Sequence, residues 1–312
     1  TEKGWYFEAN PKCTEVLLKM FNLEGPNVNA APTPGDASVT EFEGAETKLG
    51  PDKHKEYRSG GGVVHYQSGD RLDCKYSARE IIRDGASPDR GSWAKLKRHA
   101  RYLAGKKRSI NWHPWQQRQT VLRTSTDANH GNDVKSRKST HCVVSRLGKH
   151  TLSEIVQGQP LVAISSGESE FYGLVRGAIE SQFIAHLLEF FDHKVVQIVE
   201  MDSTAAKGAA QRQGVGRRMK HITTDKLFVQ NLVSEGVLKL RKVHKDVNVA
   251  DLGTKYVDKK TLERLVKLLG AFWLQTGIKV AEAMVMKDND NNDNNNNYND
   301  ESNVMMSAKE RF

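Results

Sequence analysis

Four acidic residues constrain this chain more than any other feature. Asp127, Glu170, Asp202 and Asp251 each stand at the edge of a hydrophobic run in its second half, in S-T-D-A-N-H-G, S-S-G-E-S-E-F-Y, V-E-M-D-S-T-A-A and N-V-A-D-L-G-T-K. A fold that gathers carboxylates from such distant segments has to neutralise their mutual repulsion. Oxygen ligands of this kind suit Mg²⁺ or Mn²⁺. Two such ions side by side can hydrolyse a phosphodiester.

The chain has 312 residues, room for about two domains of roughly 150 residues. It carries a net charge of +9, although Asp288 to Glu301 holds five acids and no Lys or Arg. The rest is therefore more basic still, which points to a polyanionic partner, most simply nucleic acid. The plain alternative is a basic, soluble surface. Cys13, Cys74 and Cys142 are far apart with no CxxC pair, which argues against a zinc knuckle or a disulfide framework. Reduced thiols in an intracellular protein, cytoplasmic or nuclear, are the expectation. No apolar run approaches ~18 residues, so no membrane span is expected, and no signal peptide is visible. The chain opens at Thr1 instead of Met, which reads as a piece of something longer.

Three regions emerge: 1–118, 119–271 and a tail, 272–312. In the first, Lys12 to Asn22 has helical spacing, with Val16, Leu17, Met20 and Phe21 on one stripe. Pro26 to Pro51 reads as a loop. Tyr57 to Arg83 reads as helical material interrupted at Gly60, Gly61 and Gly62, each costing about 1 kcal/mol in a helix interior. Ser92 to Leu103 is the clearest helix, with Ser92 as its cap. Its basic side chains, including Lys97, Arg98 and Arg101, are candidates for phosphate contact or a solvated face.

In the second region, Thr120 to Thr126 reads as a strand ending at Asp127. His141 to Leu147 and Thr151 to Val156 read as a hairpin. A long helix follows at Ser166 to Phe191, then a strand at Val195 to Met201 and a short helix at Ser203 to Ala210. After these come a helix at Thr224 to Glu235, a strand at Val237 to Val243, and helices at Asn248 to Thr254 and Lys259 to Leu269. A three-strand meander followed by alternating helix and strand makes a mixed α/β layer. The stretch 288–303 is Asn/Asp low complexity, expected to be disordered. It lacks the Gly and bidentate Glu of a calcium loop.

The second region resembles the RNase H domain of copia-type LTR retrotransposon Pol polyproteins. The resemblance rests on T-D-A-N-H-G-N-D (126–133), R-K-S-T (137–140), V-A-I-S-S-G-E-S-E-F-Y (162–172), M-D-S-T-A-A-K (201–207), K-H-I (220–222) and N-V-A-D-L-G-T-K (248–255), in the family's order. The first region resembles the end of the same family's reverse transcriptase, through F-E-A-N-P-K, Y-R-S-G-G-G-V-V, D-R-L-D and W-A-K-L-K-R-H-A-R-Y-L-A-G. The polymerase's paired aspartates are absent from the sequence, so no polymerase activity is expected of this piece.

The resemblance implies an α/β, RNase H-like mixed sheet flanked by helices, preceded by a smaller, mainly helical region. It also implies a ribonuclease that cuts the RNA strand of RNA·DNA hybrids with two Mg²⁺ or Mn²⁺ ions, as part of a polyprotein with an upstream reverse transcriptase. Asp127, Glu170, Asp202 and Asp251 would be the catalytic, metal-binding acids. The helix acid could be Glu168 or Glu170, and the family's pattern selects Glu170. Ser203 is a candidate backbone contact or a helix cap. The basic loop with Arg217, Arg218, Lys220 and His221 is a candidate phosphate contact. His244, seven residues before Asp251, reads as a solvated histidine, with the mobile product-release histidine of many RNase H enzymes as the alternative. The pattern's second Asp and its Trp are here Asn129 and His130, its Ser-Gly after R-K-S-T is His141-Cys142, and the Trp usual in the second hairpin strand is missing from Thr151 to Val156. A catalytically decayed remnant that only binds nucleic acid is therefore the alternative, with an integrase- or transposase-type nuclease ranked last.

Overall fold

The computed structural model describes residues 2–275, apart from 134, 215, 217–219 and 223–225, together with Ile278 and Val280. Its centre is a five-stranded mixed sheet in the order β5-β4-β3-β6-β7. The strands are β3 (Val121–Asn129), β4 (Thr140–Leu147), β5 (His150–Gly158), β6 (Val196–Met201) and β7 (Leu238–Lys242). β3, β4 and β5 form an antiparallel meander, whereas β6 runs parallel to β3 and β7 parallel to β6. β5 and β6 therefore run in the same direction, so the chain must cross back over the sheet between them, and α5 (Ser166–Phe190) makes that crossover. α6 (Thr204–Gln211) and α7 (Phe228–Ser234) lie in the connection to β7. This meander followed by parallel strands, read outward from the first strand, is the RNase H-like α/β sheet.

The first region packs α1 (Pro11–Met20), α2 (Pro51–Gln67), α3 (Lys75–Arg83) and α4 (Arg90–Gly105) against that sheet. Leu17, Tyr57, Leu96 and Leu103 from the helices share one apolar core with Cys142 and Val144 of β4. Leu252 and, from α8 (Lys259–Leu268), Leu262 and Leu265 complete it. A second sheet joins a strand near Thr1 to strands from either side of the central sheet in sequence. β2 (Arg108–Pro114) lies between β1 (Gly4–Glu8) and β8 (Ala271–Leu274), antiparallel to both.

Several local expectations change. The three glycines do not interrupt a helix, because α2 runs straight through them. A Cβ on Gly60 would stand 2.9 Å from Leu96 Cδ2 and 3.0 Å from Met20 Sδ, so the missing side chain lets three helices pack closely. α4 begins at Arg90, capped by Asp89, and Ser92 closes a capping box from the third position. β3 continues past Asp127 to Asn129. The segment read as a helix at Asn248 to Thr254 is a 3-10 turn, Val249–Gly253, capped by Asn248. A boundary at 271/272 would cut through β8, whose Phe272 and Leu274 are buried with Ile110 and Val280. The Asn/Asp-rich stretch 288–303 lies outside the described residues.

Candidate metal centre

Neighbouring parallel strands bring the first two acids together. Ser125 of β3 pairs with Glu200 of β6. Continuing that parallel register by two residues sets Asp127 beside Asp202, which follows the last residue of β6. Glu170 arrives from above, in the second turn of α5, whose N-terminus is capped by Ser165 accepting from the Glu168 amide at 3.2 Å. Carboxylate oxygens of Asp127, Glu170 and Asp202 all lie within 4.8 Å of one another. Asp127 is buried, whereas Glu170 and Asp202 are partly exposed, so the cluster opens to solvent on one side.

Asp251 stands next to this triad without joining it at that spacing. It is 7% exposed, and Lys255 Nζ lies 3.0 Å from its Oδ2. Its turn is stapled to the sheet. Asn248, fully buried, donates from Nδ2 to the Thr126 carbonyl at 3.1 Å. Thr254 Oγ1 donates to Asp127 Oδ2. Gly253 meets the Cys142 side chain with no room for a Cβ, which would stand 2.5 Å from Sγ.

The electrostatics are those of a cluster short of positive charge. Burial, then the carboxylates of Asp127, Asp202 and Asp251, push Glu170 up to about 9. Burial and Asp251 also push Asp127 well above the usual carboxylate range, and Asp202 moves in the same direction for the same two reasons. Glu170 Oε2 and Asp251 Oδ1 are buried with no hydrogen-bond partner among the described residues. Orphaned buried oxygens in a group of mutually repelling carboxylates fit a hard divalent cation, which would give them partners and remove the repulsion.

The alternative helix acid, Glu168, is committed elsewhere. Its Oε1 accepts from Tyr172 at 2.9 Å, and its Oε2 accepts from the Ile164 amide at 3.1 Å and lies 3.0 Å from His221 Nε2. His221 therefore braces the start of α5. Ser203 caps α6, accepting from the Ala206 amide at 3.2 Å. On α4, Lys97 is exposed. Arg98 instead donates to Thr33 Oγ1 at 2.9 Å and pairs with Asp36, and Arg101 donates to the Asn29 carbonyl at 2.8 Å. Those two arginines tie down the 29–36 loop. Lys220 is exposed, whereas Arg217 and Arg218 lie outside the described residues. His244 caps the turn at Lys245–Val247 and faces Asp246 at 3.2 Å.

Sequence reasoning passed over Asn248, Thr254 and Lys255, although all three stand in the N-V-A-D-L-G-T-K segment beside Asp251. A polar residue on either side of an acid within one turn was the available signal. The departures at Asn129 and His130 are both in use. Asn129 donates to the Thr254 carbonyl at 3.2 Å, and a His130 ring nitrogen lies 2.9 Å from the Ala163 carbonyl.

No family model matches the chain. It is similar to the retrovirus-related Pol polyprotein from transposon RE2 of Arabidopsis thaliana, 27% identical over 265 residues covering 81% of this chain and 17% of the polyprotein. It is also similar to that from transposon RE1 of the same plant, at 26% over 69% of this chain and 15% of the polyprotein. The polyprotein from transposon TNT 1-94 of Nicotiana tabacum is 23% identical over 84% of this chain and 20% of its own length. The resemblance carried by the motifs is thus borne out, and the chain spans a fifth or less of each relative. Solved structures include the N-terminal RNase H domain of Rv2228c from Mycobacterium tuberculosis, at TM-score 0.32 and 11% identity, covering 48% of this chain and 98% of that one. Another is LC11-RNase H1 isolated from compost, at TM-score 0.33 and 15% identity, covering 47% and 99%.

Proposed function

We propose that the chain is a ribonuclease H acting on the RNA strand of RNA·DNA hybrids, working beside the reverse transcriptase of a longer Pol polyprotein. The observation that carries this reading is the convergence of Asp127, Glu170 and Asp202 within 4.8 Å on an RNase H-like sheet. Asp127, Glu170 and Asp202 would hold Mg²⁺ or Mn²⁺, with Asp251 as the fourth acid. Divalent cations bound there would supply activation of water and neutralise charge on the leaving 3′ oxygen.

The chain's own contribution is preorganisation. Thr254 holds one oxygen of Asp127, Oδ2, by a hydrogen bond. The strand pair sets the Asp127–Asp202 spacing, and α5 holds Glu170 above it. Ordering the acids during folding removes that cost from the reaction itself. The partly exposed side at Glu170 and Asp202 is where a phosphate would approach. Intact acids, and hydrogen bonds at Asn129 and His130, favour an enzyme over a decayed remnant.

A labelled RNA·DNA hybrid with Mg²⁺ tests the reading. The expected result is RNA cleavage leaving 5′-phosphate and 3′-hydroxyl ends, lost in Asp202→Asn with hybrid binding retained. Binding without cleavage by the unmutated protein would overturn the enzyme reading and leave a nucleic-acid-binding remnant.

A further inference from the structure

The acid cluster already contains a cation of its own. Lys255 Nζ is 3.0 Å from Asp251 Oδ2, while the three acids without that partner form the closer group. The backbone that carries Lys255 is held in place. The preceding Thr254 is fully buried and bonded to Asp127, and the following Tyr256 fills the space over Gly35, where a Cβ would come within 2.0 Å of its ring. The lysine side chain itself is 48% exposed. A long, flexible stem on a fixed backbone lets an ammonium leave for solvent without disturbing the fold. Asp251, by contrast, is buried, and its other oxygen, Oδ1, has no partner among the described residues.

We propose that Lys255 is a positioning residue that occupies the second cation position of the cluster, so that one divalent ion enters the Asp127–Glu170–Asp202 triad freely and a second enters at Asp251 only by displacing the lysine. The inference rests on the reading that the triad binds a divalent cation. Its physical basis is competition: an ammonium at hydrogen-bond distance neutralises Asp251 and raises the cost of bringing a second dication beside the first. Lys255 thereby grades the two affinities, and the strongly bound population in the absence of nucleic acid carries one ion.

Calorimetric titration with Mn²⁺ alone tests this, counting only sites lost in Asp202→Asn so that acids elsewhere do not contribute. In the unmutated protein one site is expected to bind at least about tenfold more tightly than the second. Lys255→Met should tighten the second site by about tenfold or more and move the first less, whereas Lys255→Arg should keep the graded pattern. A second measurement needs no variant. With the lysine side-chain nitrogens labelled, the Lys255 resonance should stay in place through the first equivalent of Mg²⁺ and shift during the second. Two sites of equal affinity, unchanged by Lys255→Met, or a Lys255 signal that moves with the first equivalent, would overturn the proposal while leaving the triad reading intact. An absence of Mn²⁺ binding to the unmutated protein would overturn both.

Discussion

Gly177 of α5 lies against Thr126 of β3 so closely that a Cβ on the glycine would stand 2.3 Å from the threonine Cγ2. Glu170 is seven residues earlier on the same helix, hence on the same face. The glycine lets the helix that carries Glu170 settle onto the strand that carries Asp127.

Replacing Gly177 with alanine is expected to destabilise the fold by about 1–3 kcal/mol through overpacking, against alanine's better helix propensity. Gly208→Ala provides the contrast. Nothing lies within 4 Å of a Cβ added there, so a gain of about 0.5–1 kcal/mol is expected. Urea midpoints for the two variants should move in opposite directions. A midpoint for Gly177→Ala at or above that of the unmutated protein would mean that this contact does not set the helix–strand spacing.

Protonation of the buried acids makes metal-free stability pH-dependent. Folding raises Glu170 from an ordinary 4.5 to about 9, and Glu154, buried behind the site, to about 7. A carboxyl whose pKa rises on folding contributes stability that is present below its unfolded value and lost as pH climbs through the folded one. His99 and His141 act in the opposite sense, since burial lowers them from 6.5 to about 3 and about 4. Their contribution is lost as pH falls below 6.5. Above pH 6.5 the raised acids set the slope, joined toward pH 9 by Cys74 and Cys142, whose thiols burial also pushes up and which act in the same sense, so the melting temperature in EDTA should fall between pH 6.5 and 9. Mg²⁺ should restore it most at the alkaline end. Melting curves across that range, with and without Mg²⁺, check both signs.

A buried pair ties the helices of the first region to β8. Asp73 accepts from Arg71 Nε at 2.9 Å, Tyr102 Oη at 2.6 Å and Trp273 Nε1 at 2.9 Å. Burial pushes this carboxyl up, but the Arg71 charge and these hydrogen bonds outweigh it and hold it at about 2. Asp73→Asn leaves the fully buried Arg71 uncompensated, and a loss of about 3–5 kcal/mol is expected. A fragment limited to 119–271 lacks Arg71, Asp73, Trp273 and the helices that cover Cys142 and Val144. It is expected to show molten behaviour, with weak amide-exchange protection. A cooperative unfolding transition in that fragment would show that the shared core is dispensable.

Thr254 holds Asp127 by one hydroxyl. Thr254→Val keeps the shape and removes the donor, so Mn²⁺ affinity at the triad should fall by about 10–100-fold, a typical cost of losing a partner of a metal ligand. Thr254→Ser, which retains the hydroxyl, should bind nearly as the unmutated protein does. Equal affinities across the three proteins would assign Thr254 a packing role only.

Apolar periodicity and the alternation of strand and helix were enough to place α5, β4, β6 and α8 within one to two residues, because half-buried elements write their period into the sequence. The acids of the cluster were legible for the same reason: each interrupts or ends an apolar run. β1, β2 and β8 were not legible, since β1 and β8 are short edge strands with little periodicity and β2 lies between them, pairing with a strand more than 150 residues away. The tolerance of α2 for three glycines was also hidden, because only the neighbouring helices reveal that a side chain would not fit.

By itself, the sequence determined which residues bear charge and where the chain turns from strand to helix, since those depend on neighbours a few positions apart. Only the tertiary structure decided that Glu168, passed over for Glu170 by the family's pattern, braces the helix start, and that Arg98 and Arg101 hold a loop. It also decided that Lys255 stands against Asp251. Those outcomes depend on which groups meet across the fold, and Coulomb and steric terms act on distance in space instead of distance along the chain.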